Sequence, residues 1–185
     1  MAQLTPDEQK ELLALARKTI EVKLFGRSEI EAECDAFIFS EDKGLFVTIH
    51  RLGHLRGCIG TLDVNTPLRE IVVQMAKSSA FKDPRFPPLS EREYAEIDIE
   101  ISVLSAPYKI DSPEEVEVGS HGIIISKGHR KGLLLPQVAT ERNWDRETFL
   151  NHTCIKAGLP EDAWRGDVTI EVFEAEVFGE KDFIT

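Results

Sequence analysis

From Ile97 to Val103 apolar and polar residues alternate without a break, with Ile97, Ile99, Ile101 and Val103 separated by Asp98, Glu100 and Ser102. A period of two marks a half-buried β-strand. Similar patterns over 34–40 (CDAFIFS), 44–52 (GLFVTIHRL), 55–62 (LRGCIGTL) and 168–178 (VTIEVFEAEVF) predict further strands. Two apolar runs, GIIIS (122–126) and GLLLP (132–136), flank the polar turn 127–131 and predict a hairpin. Helical spacing appears first after Thr5-Pro6-Asp7-Glu8, which supplies an N-cap, a proline at the first helical position and a capping-box glutamate. Leu12, Leu15, Ala16, Ile20 and Leu24 then share one face, and Gly26 closes the helix. A second helix follows Thr66-Pro67, with Leu68, Ile71, Val72, Met75 and Ser79 facing the core. A third starts near Asp145, buries Phe149, Leu150, Thr153, Cys154 and Ala157, and stops at Gly158. Ser90 with Glu93, and Ser112-Pro113-Glu114-Glu115, open short helices, while 78–89 (SSAFKDPRFPPL) reads as irregular but too aromatic for a solvated linker.

Several strand pairs are joined by connections too short for a parallel crossover. The fold class is therefore α+β, a largely antiparallel sheet flanked by helices. Repeats, low-complexity tracts and interdomain linkers are missing from the sequence, so residues 1–185 are expected to form a single domain. A two-residue type II′ turn at Gly53-His54 would place Leu52 opposite Leu55, Arg51 opposite Arg56 and Ile49 opposite Cys58. A bulge at Gly57 or Gly60 would exchange the faces.

Composition narrows the classes. Apolar residues are 42% and charged residues 30% of the chain, as in globular proteins. No apolar run reaches the roughly 18 residues of a membrane span. The start, MAQLTPDEQKELL, has neither the basic nor the apolar region of a signal peptide, so a cytoplasmic protein is expected. A net charge of −11 repels nucleic acid and anionic membranes. Cys34, Cys58 and Cys154 are odd in number, widely spaced and without a CxxC pair. That pattern disfavours both a disulfide framework and a thiolate metal site.

Candidate chemistry centres on Leu55-Arg56-Gly57-Cys58-Ile59-Gly60. Cys58 reads either as a small buried hydrophobe or as a thiol made acidic by Arg56, Arg51, His50 or His54. Gly57 and Gly60 would strip side chains from around the sulfur and let a ligand approach the backbone. Any base must come from elsewhere in the chain. His121, between glycines at 119 and 122, is the candidate acid/base, although a turn role serves such a residue equally. Asp83 and Arg85 either pair with each other or clamp a carboxylate or phosphate. Cys34 and Cys154 read as core residues.

With LRGCIGTL, SSAFKDPRFPPLSERE, GSHGIIIS, LLLPQVATERNWD and KAGL in this order, the chain closely resembles the AMMECR domain family, whose prokaryotic form is called AmmeMemoRadiSam system protein A. The match involves Arg56, Gly57, Cys58 and Gly60, then Asp83, Arg85 and Phe86, then His121 and Gly122, then Pro136 and Trp144. Leu62 and Asn143 depart from it, standing where Phe and Gly are common. The resemblance implies two unequal lobes sharing one chain, a cleft lined by LRGCIG, and a system with a Memo-like protein and a radical SAM protein. It also frames two expectations. The first is thiol-dependent modification of a small molecule or protein, with Cys58 as nucleophile, His121 as acid/base, and Arg56, Gly57, Gly60, Asp83 and Arg85 binding substrate. The second is a non-catalytic adaptor using the same cleft, with a nucleic-acid factor well behind. No cofactor and no metal are expected.

Overall fold

The computed structural model describes residues 4–26, 43–62 and 66–184. The strand expected over 34–40, and Cys34 with it, lies outside the described residues. The chain divides into two compact units: Ala2–Leu104 with Glu176–Thr185, and Ser105–Ala175.

The larger unit opens with helix α1 (Pro6–Phe25), capped as its sequence predicts by the reciprocal Thr5–Glu8 pair and closed by Gly26 in the left-handed conformation. Strands β1 (Gly44–Arg51), β2 (His54–Thr61) and β3 (Ile97–Leu104) run antiparallel in the order β2-β1-β3. One face of this sheet is apolar. Leu45, Val47, Ile49, Ile97, Ile99, Ile101 and Val103 point into a core with Leu12, Ala16 and Ile20 of α1 and with Leu68, Ile71 and Val72 of helix α2 (Leu68–Phe81). The opposite face carries the alternate residues, among them Thr48 and Glu100. α2 runs on through Ser78–Phe81, where the three prolines downstream make the sequence look irregular. It stops just before Asp83-Pro84, as a residue preceding proline avoids the α region. A 3₁₀ turn, Glu91–Glu96, then feeds β3.

The smaller unit holds β4 (Tyr108–Lys109), β5 (His121–Lys127), β6 (Arg130–Leu134), helices α3 (Pro136–Glu141) and α4 (Arg146–Lys156), and the first residues of β7 (Thr169–Gly179). β5 lies between β7 and β6, and β4 pairs with β7, all antiparallel. Its core joins Ile123, Ile125 and Val172 to Phe149, Leu150 and Cys154 of α4. Antiparallel pairing with helices on the sheets makes the protein α+β. Among the described residues no helix is long and apolar enough to cross a membrane.

The β1–β2 hairpin departs from the expected register. Arg51 faces His54, His50 faces Leu55, Ile49 faces Gly57 and Thr48 faces Cys58. The turn residues are therefore Leu52 and Gly53, with φ of 50° and 82°, the two positive values that a type I′ turn needs. Arg56 has no opposite number, and the shifted turn and this bulge together correct the predicted type II′ turn at Gly53-His54 and the pairings of Leu52 with Leu55, Arg51 with Arg56 and Ile49 with Cys58. One added residue exchanges faces beyond it, so Cys58 lies on the polar side of the sheet, away from Val47 and Ile49.

Candidate functional site

Across the larger unit's sheet, Cys58, Thr48 and Glu100 stand in one row on three adjacent strands. Thr48 Oγ1 donates to Cys58 Sγ at 3.3 Å. The sulfur is half-buried, and burial pushes the thiol's pKa up, with the Thr48 hydroxyl and the Arg85 charge opposing. Asp83 and Glu100 push it up further.

The segment after α2 reaches this row from the side. Asp83, 4% exposed, accepts the Cys58 backbone N–H at 2.9 Å. Arg85 forks onto the same carboxylate, with Nε 3.0 Å from Oδ1 and a terminal nitrogen 2.7 Å from Oδ2. That terminal nitrogen also donates to the Cys58 carbonyl at 3.2 Å. The Arg85 guanidinium, helped by the backbone N–H groups of Cys58 and Arg85, holds the Asp83 carboxyl far below its usual range despite burial. Asp83 and Arg85 thus pair with each other and also grip Cys58. Their side chains unite two motifs twenty-five residues apart.

Arg56 points elsewhere. It is 8% exposed, binds Glu93 through Nε at 2.8 Å and a terminal nitrogen at 3.2 Å, and donates to the Pro87 carbonyl at 2.9 Å. Glu93 also caps Ser90, and the Arg56 guanidinium lowers its pKa to about 2. The Phe86 ring has both guanidinium carbons nearby, Arg56 at 5.8 Å and Arg85 at 5.5 Å. Arg51 pairs with Glu93 and Glu96, and His50 Nδ1 lies 3.6 Å from Asp98. Of the hairpin cations expected to acidify Cys58, Arg56, Arg51 and His50 thus stand against carboxylates, and among the described residues the cation that acts on the sulfur is Arg85.

The glycines also serve differently from the expectation. A Cβ on Gly57 would stand 2.1 Å from the Ser79 carbonyl oxygen, because α2 packs its backbone against this point. A Cβ on Gly60 would stand 2.1 Å from Cγ of Phe46, whose ring covers it. The bare backbone is closed by α2 at Gly57 and, on the sheet face that carries Thr48 and Cys58, by the Phe46 ring at Gly60. Ser79 adds a polar link, since its Oγ accepts the Ile59 N–H at 2.9 Å and donates to the Val47 carbonyl at 2.7 Å.

His121 belongs to the smaller unit. Its Nδ1 accepts the Glu117 N–H at 3.2 Å, so Nε2 carries the proton and faces the Tyr108 hydroxyl at 3.2 Å. Both ring nitrogens are therefore engaged inside that unit. Cys154 is fully buried on α4, as its place in the helical stripe predicts. Thr48, Glu93 and Glu100 were not among the predicted site residues. Glu93 could be read from sequence only as a capping residue, and Glu100 only as the polar side of an alternating strand.

The AMMECR1 family model matches residues 13–178. The chain belongs to the AMMECR1 family. Among relatives, a Methanopyrus kandleri protein is 46% identical over 189 residues, covering 97% of this chain and 91% of its own. A Methanosarcina barkeri protein is 43% identical, covering 97% and 93%. The crystal structure of an uncharacterized Pyrococcus horikoshii protein superposes with a TM-score of 0.89 at 38% identity, covering 96% of this chain and 94% of that one. For an AMMECR1 chain, then, the LRGCIG and DPRF segments form one physical unit, and among the described residues no three His, Cys, Asp or Glu side chains gather as metal ligands would.

Proposed function

We propose that this AMMECR1-family protein is a binding module, an adaptor whose working surface is the Cys58–Thr48–Glu100 row with the Asp83–Arg85 pair beside it. The observation that carries this reading is the commitment of Arg56 to Glu93, which leaves a half-buried thiol whose pKa burial raises. A nucleophilic cysteine needs the reverse, a lowered pKa and an adjacent base. Arg85 suits recognition, because it is half-exposed and already oriented by Asp83. A guanidinium fixed in this way meets a carboxylate with less entropy loss than a free one. The partners proposed are a Memo-like protein and a radical SAM protein, which the family resemblance implies.

Thiol-dependent modification of a small molecule or protein is the second reading. The Thr48 hydroxyl and the Arg85 charge, both of which stabilise a thiolate, favour it. One experiment separates the two. Mixing the purified chain with a purified Memo-like protein should give a micromolar complex that Arg85→Ala weakens and Cys58→Ser preserves. A complex that needs Cys58, or no complex together with rapid alkylation of Cys58 at neutral pH, would replace the adaptor with the thiol reading.

A further inference from the structure

The smaller unit contains a cavity of about 440 Å³ between the segment after β4 and the segment before β7. That volume lies in the range of small-molecule sites. Its apolar wall comes from Pro113, Trp164, Val168 and Ile170. Two charges of opposite sign, Lys109 and Asp111, line the same space. Neither side chain makes an ion pair or side-chain hydrogen bond among the described residues, and Glu171, opposite Lys109 in the β4–β7 register, does not pair with it either. Arg165, the other cation at the rim, is engaged by Glu147 and lies over the Trp164 ring at 4.2 Å.

An ammonium and a carboxylate two residues apart are separated by at most roughly 7 Å of backbone. Both residues line one cavity, and neither side chain is engaged by another among the described residues. A ligand with an amine and a carboxylate on one carbon would satisfy both. The apolar wall would take that ligand's side chain, since such pockets combine greasy walls with a few fixed polar groups. We propose that this cavity binds a zwitterionic α-amino acid with an apolar or aromatic side chain, with Lys109 on the carboxylate, Asp111 on the ammonium, and Trp164 with its neighbours against the side chain. The site lies within the smaller unit and does not depend on the adaptor reading.

The test is an NMR titration of the full chain with three probes: L-phenylalanine, N-acetyl-L-phenylalanine and L-phenylalaninamide. Phenylalanine should bind saturably, moving amide signals over 109–113 and 164–170. Lys109→Gln should weaken phenylalanine and its N-acetyl form about tenfold while sparing the amide. Asp111→Asn should weaken phenylalanine and the amide about tenfold while sparing the N-acetyl form. Both residues are exposed, so their variants should keep the wild-type spectrum elsewhere. Absence of saturable binding at millimolar phenylalanine would overturn the assignment. So would equal weakening of all three probes by either variant, because a merely structural effect does not distinguish which end of the ligand is blocked.

Discussion

Asp83 and Arg85 hold Cys58 by its main chain, the carboxylate taking its N–H at 2.9 Å while the guanidinium gives a hydrogen bond to its carbonyl at 3.2 Å. Loss of the carboxylate leaves a buried N–H without its acceptor and a guanidinium without its partner. Asp83→Ala is expected to cost about 2–3 kcal/mol. Asp83→Asn, which keeps an acceptor oxygen, should cost about half of that, and Arg85→Ala about 1 kcal/mol because its head is half in water. Urea unfolding followed by circular dichroism gives the three values and their order.

Acid should undo the same contacts. The carboxyls of Asp83 and Glu93 are both held below their ordinary values, by Arg85 and by Arg56 respectively, with Glu93 at about 2. For a depressed pKa the unfolded chain binds more protons over the interval between the two values. The stabilisation is therefore complete above the unfolded carboxylate range, about pH 4, and is lost as pH falls through the folded value. Stability should be flat above about pH 5 and decline steadily below about pH 4. Asp83→Asn should flatten part of that decline in urea midpoints measured across the acid range.

Cys58 should behave as an ordinary or sluggish thiol. Burial, the leading influence on it, disfavours the thiolate. Iodoacetamide labelling should be slow at pH 7 and should rise only as pH passes above the usual thiol value of about 8.5. The wild-type rate minus that of Cys58→Ser isolates this site. A labelling midpoint below pH 7 would show that Thr48 and Arg85 outweigh burial.

Gly57 and Gly60 are both closed to a larger residue, but by different neighbours. At Gly57 the obstacle is α2 backbone, which cannot turn aside, so Gly57→Ala should cost about 3 kcal/mol. At Gly60 the obstacle is the Phe46 ring, which can rotate, and Gly60→Ala should cost about 1 kcal/mol. If the two variants melt alike, close approach of α2 is not what Gly57 serves.

Leu52 sits with φ of 50° at the hairpin tip and is 70% exposed. A left-handed conformation costs a leucine roughly 1–2 kcal/mol, whereas asparagine before glycine suits a type I′ turn. Leu52→Asn should stabilise the protein by about 1 kcal/mol and raise Tm by about 3 °C. Calorimetry would check this directly.

Much of the architecture was legible because local rules agreed with the tertiary outcome. Thr5 and Glu8 cap α1 as their spacing predicts, and the Ile97–Val103 alternation becomes the most regular strand of the larger unit. The hairpin was legible as a hairpin but not in its register. Gly53 fits either the first place of a type II′ turn or the second of a type I′ turn, and the choice goes with the unpaired Arg56, whose side chain reaches Glu93 and Pro87 far along the chain. No local pattern records that reach. α3 was missed because six residues are too few to display a period, and β4 because two residues cannot alternate. Within the site, the Asp83–Arg85 pairing could be read from two residues' spacing. Its grip on Cys58 could not, because it depends on where α2 ends relative to β2.

That grip has a further consequence at the margin of the sheet. Among the described residues β2 has a strand neighbour, β1, on one side only, and an exposed strand margin is where another chain can add itself. At Cys58 an oxygen that accepts and a nitrogen that donates already occupy the outward N–H and C=O, in the arrangement a neighbouring strand would offer. Two side chains thus act as a surrogate strand one residue long. They seal the margin at this residue against templated self-association, at the cost of no additional backbone.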